Sequence, residues 1–411
     1  MKNRHYASIL CVSVVSIALV SVAHRSVAQD AAQQAAKTDE QAKKQQPLAV
    51  RCLAFSPDGR SLAAGYGNND GRGRVIAWDL AQRKPRFAKE EGEVVPSVAY
   101  SPNGEFLAIG SFLPVVRLLN PATGNVMRAW KAHDQHIRSV AFNFTGTLAT
   151  ASYDQTIKLW DAPTGTVRRV LAGHQAPLRV IAFSPDGKWL ASAGGQEEMV
   201  RLWNLTDQNK PPREFKMEGY VPQVAFSPDS SRLAVSVWVE GPVLFDVNTG
   251  KERDRLTNLG GIHWTTYSPD GRWLAVATNG RDVYIFPAQH EPTEAEQREI
   301  ARLIKQFEDD DYAKREAASK RLAELGGIAL PQIREGLKSE SAEVRIRCRR
   351  LVAQAQSGAN ARKLTGHGAE LECLAFSPDG RYLASGDWQG TVIIWDVEEW
   401  KSIATLGYTG N

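Results

Sequence analysis

The 411-residue sequence predicts an all-β chain, a seven-bladed β-propeller, with a small α-helical insertion between the third and fourth strands of blade six. Three observations carry this expectation. A motif close to Ala-Phe-Ser-Pro-Asp-Gly recurs seven times, with its aromatic at Phe55, Tyr100, Phe142, Phe183, Phe226, Tyr267 and Phe376. The successive gaps are 45, 42, 41, 43, 41 and 109 residues, and a period of ~40–45 residues marks radial four-stranded repeats. The one long gap holds a stretch whose apolar residues recur at helical spacing.

The first element is a leader. Lys2 and Arg4 precede an apolar run from Ile9 to Ala23, and Ser26-Val27-Ala28 has the small-x-small form of a cleavage site. Residues 1–28 are therefore expected to be a signal peptide. The alternative is an uncleaved anchor helix, but fifteen apolar residues fall short of the ~20 that a spanning helix needs. Residues 29–46 are rich in Gln, Ala and Lys without apolar periodicity, the composition of a disordered linker.

Residues 47–290 follow as blades one to five and most of blade six. In each copy an apolar run leads into Ser-Pro-Asp-Gly, where Pro presets φ, Asp bonds its own backbone and Gly accepts positive φ. A second strand, a polar turn and a third strand follow. The third strands close on Trp78-Asp79, Trp160-Asp161, Trp203-Asn204 and Trp395-Asp396, and Gly173-His174 and Gly366-His367 open new units. These residues resemble the WD-repeat β-propeller family over about 48–290 and 361–406. Blades two, five and six depart from it, ending in Leu119-Asn120, Phe245-Asp246 and Phe286-Pro287.

The resemblance implies a hydrogen-bonded tetrad in blade three from His133, Ser152, Asp154 and Trp160. Blade four has Glu197 and blade seven Gln389 at the aspartate position, so most tetrads are expected to be incomplete. His133 and His136 also resemble a metal pair, but a closed site needs more ligands than this stretch supplies.

A second candidate site is the channel mouth. The residue four before each motif aromatic opens the inner strand, giving Arg51, Pro96, Arg138, Arg179, Pro222, His263 and Glu372. If the ring closes, these face one another as a locally basic rim, with Tyr153 and Trp388 in nearby turns. Arg and aromatic groups are common interface anchors, while the plainer reading is solvated rim charge.

From about residue 291 to 358 the sequence turns helical. Ala317, Leu322 and Leu325 share one helix face, Pro331 opens a short helix, and Val344, Cys348, Leu351 and Val352 share another face. Asp311 to Glu316 and Ser341 to Arg345 resemble the helix starts of a HEAT-like repeat. Residues 359–411 then supply the end of blade six, from Arg362 to Leu364, and all of blade seven. Blades one and seven each carry their own inner strand, so closure is expected to rest on packing at one seam. Three cysteines follow the leader, Cys52, Cys348 and Cys373, and all read as small buried apolar residues without a disulfide.

The formal net charge of +4 lacks the concentrated basic footprint of a nucleic-acid binder. No catalytic constellation, metal site or cofactor motif stands out. The expected function is a non-catalytic exported scaffold, periplasmic, envelope-bound or secreted, with protein partners and no integral membrane span once the leader is cleaved. The alternative is a propeller enzyme or small-ligand binder using the basic channel mouth.

Overall fold

The computed structural model describes residues 47–68, 70–257, 259–288, 294–356 and 361–407, so the expected leader and the linker at 29–46 lie outside the described residues. Among these, seven four-stranded antiparallel sheets span residues 50–90, 97–131, 137–171, 178–216, 224–255, 262–287 with 362–364, and 371–406. We number them blades one to seven. Within each, strands pair in chain order.

The repeated turn explains the hairpins. In blade one the Ser56 hydroxyl donates to Asp58 Oδ1 at 2.5 Å and accepts from Ser61 N at 2.9 Å. Gly59 then closes the turn at φ 68°, a conformation that costs an L side chain energy. Blade five has Ser230 there, at φ 60°. Its hydroxyl accepts from Asp186 N of blade four at 3.0 Å, a bond that glycine could not make.

Burial runs radially. The second strand of blade one, Ser61–Gly67, is buried throughout, while the fourth, Lys84–Glu90, is mostly exposed. Lys84, Arg86 and Lys89 place charge on that free edge, which discourages strand addition by another chain.

The first strands of neighbouring blades lie against one another in an unbroken cycle, blade seven's against blade one's. One apolar cluster fills each of the seven junctions. At the seam between blades one and seven, Val50, Leu53 and Tyr66 pack with Cys373, Ala384 and Ile394. No strand is shared across this seam among the described residues.

Cys52 and Cys373 do more than fill space. The Cys52 thiol points to Val95 O at 3.6 Å, and the Cys373 thiol to Val50 O at 3.9 Å. Cys373 thus reaches the first residue of the next blade's inner strand, and Cys52 the segment two residues before it. Ser97 and Ser139 hold the same register in blades two and three, and their hydroxyls bond to Val140 and Ile181 of the following blade. All three described cysteines are free.

Helices α1 (Glu294–Lys305), α2 (Tyr312–Leu325), α3 (Leu330–Gly336) and α4 (Ala342–Gln356) lie in sequence between two strands that pair with each other. Val283 faces Leu364, Tyr284 faces Lys363 and Ile285 faces Arg362. Asp311 caps α2 by accepting from Ala313 N at 2.8 Å. Ile300, Phe307, Leu322, Ile333, Val344 and Cys348 form the module's own core. On α2 it is Ala318 that is buried, whereas Ala317 is exposed. Ala318 stands four residues before Leu322, one helical turn away on the same face. The module is clamped to blade five: Arg334 donates to Asp254 Oδ1 at 2.5 Å and to Arg253 O at 2.9 Å.

Candidate functional site

Three blades carry a buried relay from an indole through a hydroxyl and an imidazole to a carboxylate. In blade three, Trp160 Nε1 donates to Thr150 Oγ1 at 2.9 Å. His133 Nε2 meets the same oxygen at 2.7 Å, and His133 Nδ1 meets Asp154 at 2.8 Å. Thr150, not Ser152, is thus the central hydroxyl. Ser152 instead bonds to Gln135 O and accepts from Asp154 N, shaping the turn. Both residues lie on one face of the strand, two apart, so alternation alone does not choose between them.

Blades four and seven are complete, contrary to the expectation. In blade four Trp203 and His174 share Ser192, and His174 Nδ1 reaches Glu197 at 2.5 Å. The longer glutamate closes the relay, and Arg201 binds its other oxygen at 2.5 Å. In blade seven Trp395 and His367 share Ser385, and His367 Nδ1 meets Asp387 at 2.9 Å. Gln389 is exposed and makes no part of this relay. The carboxylate comes from two residues earlier, at the end of the second strand, Tyr382–Asp387.

These groups are structural. Ser192, Ser385 and Thr150 are fully buried, so none presents a nucleophile to solvent. Burial lowers the His133 and His174 pKa values against the opposing pull of Asp154 and Glu197. His136 does not join His133. It stacks against Phe112 and Tyr153, with ring centroids at 5.1 and 5.6 Å, and these two rings lie 6.4 Å apart. Among the described residues no group of three metal-ligating side chains occurs.

The channel mouth is where the inner strands converge. Arg51, Pro96, Arg138, Arg179, Pro222 and Glu372 line one cavity of about 140 Å³. Glu372 is its only carboxylate among those lining residues, and it is buried. It accepts from Trp388 Nε1 at 3.1 Å and lies 3.7 Å from Arg51, 3.8 Å from Arg179 and 3.3 Å from His263 Nδ1. Burial alone would raise the pKa of its carboxyl. The contact with His263 and the charges of Arg179 and Arg51 prevail and hold it below the usual carboxylate range.

Each arginine also leans on an aromatic ring. Arg51 lies over Trp388 at 4.4 Å, Arg179 over Tyr220 at 5.0 Å and Arg138 over Phe112 at 5.5 Å. Cation–π contact of this kind orients a guanidinium without neutralising it. Burial and the neighbouring Arg179 pull the Arg138 pKa down to about 10, which leaves it charged at neutral pH. Trp238 packs edge-on against His263 at 4.5 Å.

Sequence reading missed Phe112, Tyr220 and Trp238, and weighed His136 only as half of a metal pair. A signal for two of them was present. Phe112 and Trp238 each follow directly on the second strand of their blade, as Tyr153 and Trp388 do.

Residues 42–79, 124–161, 165–204 and 358–396 match the WD40 family model, described as WD domain, G-beta repeat. The matched third strands are those ending in Trp-Asp or Trp-Asn, while blades two, five and six carry no such ending. The chain therefore carries WD40 repeats within a seven-bladed β-propeller. It is similar to meiotic recombination protein rec14 of Schizosaccharomyces pombe, 31% identical over 27% of this chain and 35% of that protein. Protein tipD of Dictyostelium discoideum is 26% identical over 59% of this chain and 42% of its own length. The small ribosomal subunit protein RACK1y of Oryza sativa subsp. japonica is 34% identical over 21% and 26%, respectively. The matches span less than half the length of each of these relatives.

Proposed function

We propose that the protein is an exported, non-catalytic scaffold that binds protein partners through its channel rim and its helical module. The observation that carries this reading is the rim itself. Oriented arginines and partly exposed aromatics, Trp388 among them, surround the opening. Such groups supply most of the binding energy at protein interfaces. A relative named as a protein of the small ribosomal subunit fits a role within an assembly.

The helical module belongs to the same reading as a HEAT-like insertion in the hairpin of blade six. Insertion there is cheap, because the two ends return to paired strands. Export rests on the leader sequence, with its Lys2, Arg4 and apolar run. Among the described residues no helix is long and apolar enough to cross a membrane. The small cavity at the mouth favours a second reading, a small-ligand binder.

Cell fractionation with cross-linking mass spectrometry tests the proposal, comparing the intact chain with one lacking residues 294–356. Recovery in the envelope or outside the cell with captured protein partners is expected. Partners lost with the deletion assign recognition to the helices, and partners kept by both forms assign it to the rim. Cytosolic recovery contradicts export. Absence of partners in both forms favours the small-ligand reading.

A further inference from the structure

The rim reading leaves open what chemistry the mouth recognises. Its charges do not balance. Three guanidiniums surround one carboxylate, and Glu372 serves Arg51 and Arg179. Arg138 has no carboxylate partner among the described residues; its guanidinium lies over the face of Phe112. His263 adds a buried imidazole whose Nε2 has no hydrogen-bond partner among the described residues.

A guanidinium held by a ring face keeps its N–H donors for another acceptor, in the planar fork that matches a carboxylate. The cavity of about 140 Å³ exceeds several waters at about 30 Å³ each. A carboxylate with its methylene group therefore fits. The surrounding surface is not that of a site for a small free anion. Phe112, Tyr153, Tyr220, Trp238 and Trp388 give the mouth an aromatic border, half-buried or exposed. That border suits peptide backbone and apolar side chains on either side of an inserted acid.

The geometry points to a receptor for an acidic peptide segment of a protein partner, with one carboxylate seated in the mouth against Arg138 and beside Arg179. The inference rests on the scaffold reading and deepens it. Glu372 is then the internal counter-charge for Arg51 and Arg179 while the mouth is free. The incoming carboxylate supplies the second negative charge, against Arg138.

Fluorescence anisotropy of labelled hexaglutamate with the full chain tests it, using hexalysine as the control peptide. The wild type is expected to bind hexaglutamate and not hexalysine, with affinity falling as salt rises. Arg138→Gln is expected to weaken binding at least tenfold. Arg138→Lys, which keeps the charge but loses the fork, is expected to lie between. Arg128→Gln, on an exposed fourth strand, is expected to bind like the wild type.

Arg179→Gln is the second variant, so that poor folding of the Arg138 variants leaves the proposal testable; at least a threefold loss is expected. Failure of the wild type to bind, or an equal loss in Arg128→Gln, overturns the inference. Neither result touches the scaffold reading, which partner capture decides separately.

Discussion

The exchange of Thr150 for Ser152 at the centre of the blade-three relay gives the sharpest quantitative prediction. Thr150→Val keeps the shape and removes the hydroxyl shared by Trp160 Nε1 at 2.9 Å and His133 Nε2 at 2.7 Å. Thr150 is fully buried, so no water replaces that oxygen. An indole N–H has no alternative use, and each buried polar group left unpaired costs about 1–3 kcal/mol. Two such groups give an expected loss of about 2–6 kcal/mol, less a small gain from the added methyl. Ser152→Ala removes only a 3.2 Å bond to Gln135 O and a 3.1 Å bond from Asp154 N. Its expected cost is about 1 kcal/mol. Urea unfolding followed by tryptophan emission measures both. A double-mutant cycle of Thr150→Val with Trp160→Phe is expected to show about 1 kcal/mol or more of coupling. An equal or larger cost for Ser152→Ala, or zero coupling, refutes the assignment.

Other expectations follow from the same geometry. At the seam, a Cβ on Gly386 would stand 2.5 Å from Val50 Cγ1 and 2.9 Å from Cys373 Sγ. Gly386→Ala is therefore expected to cost about 1–3 kcal/mol in thermal unfolding, whereas Gly407→Ala, with nothing within 4 Å, is expected to change little. Arg334→Ala leaves the buried Asp254 carboxylate short of its charged partner. Hydrogen exchange is expected to speed up in residues 330–336, with a stability loss of about 1.5–3 kcal/mol; unchanged exchange contradicts the clamp. Because the folded pKa values of His133 and His174 are lowered, the unfolded chain binds protons that the folded chain resists. Stability is then full above pH ~6.5 and falls as pH drops below it, by at most about 2.7 kcal/mol per unit for two histidines. Melting temperatures measured from pH 8 to 5 check the sign, and a rise toward pH 5 contradicts it.

The blades were legible because each carries its own local chemistry. Ser-Pro-Asp-Gly turns, alternating strands and Trp-Asp endings are short-range signals, and the change to helical spacing after Pro287 was equally local. The relay was harder to read. Thr150 follows Leu148-Ala149 as Ser192 follows Leu190-Ala191 and Ser385 follows Leu383-Ala384. That register identifies the hydroxyl, but a second hydroxyl at Ser152 on the same face obscured it. Asp387 escaped notice for a related reason, since it stands at the position of Ser152 and supplies its carboxylate from inside the strand. The pairing of rim charges was not legible at all. Glu372 meets Arg51 only across the seam and Arg179 only across the channel, contacts that depend on closure of the whole ring.

If the channel rim is the binding surface, partners must come within reach of Trp388. A photo-cross-linking amino acid placed at Trp388, on the rim, and separately at Val170, an exposed residue of a fourth strand, tests it most directly. Illumination in cell-envelope extract is expected to give discrete protein adducts from position 388 and none from position 170. Adducts from position 170 alone, or from neither position, would contradict recognition at the rim.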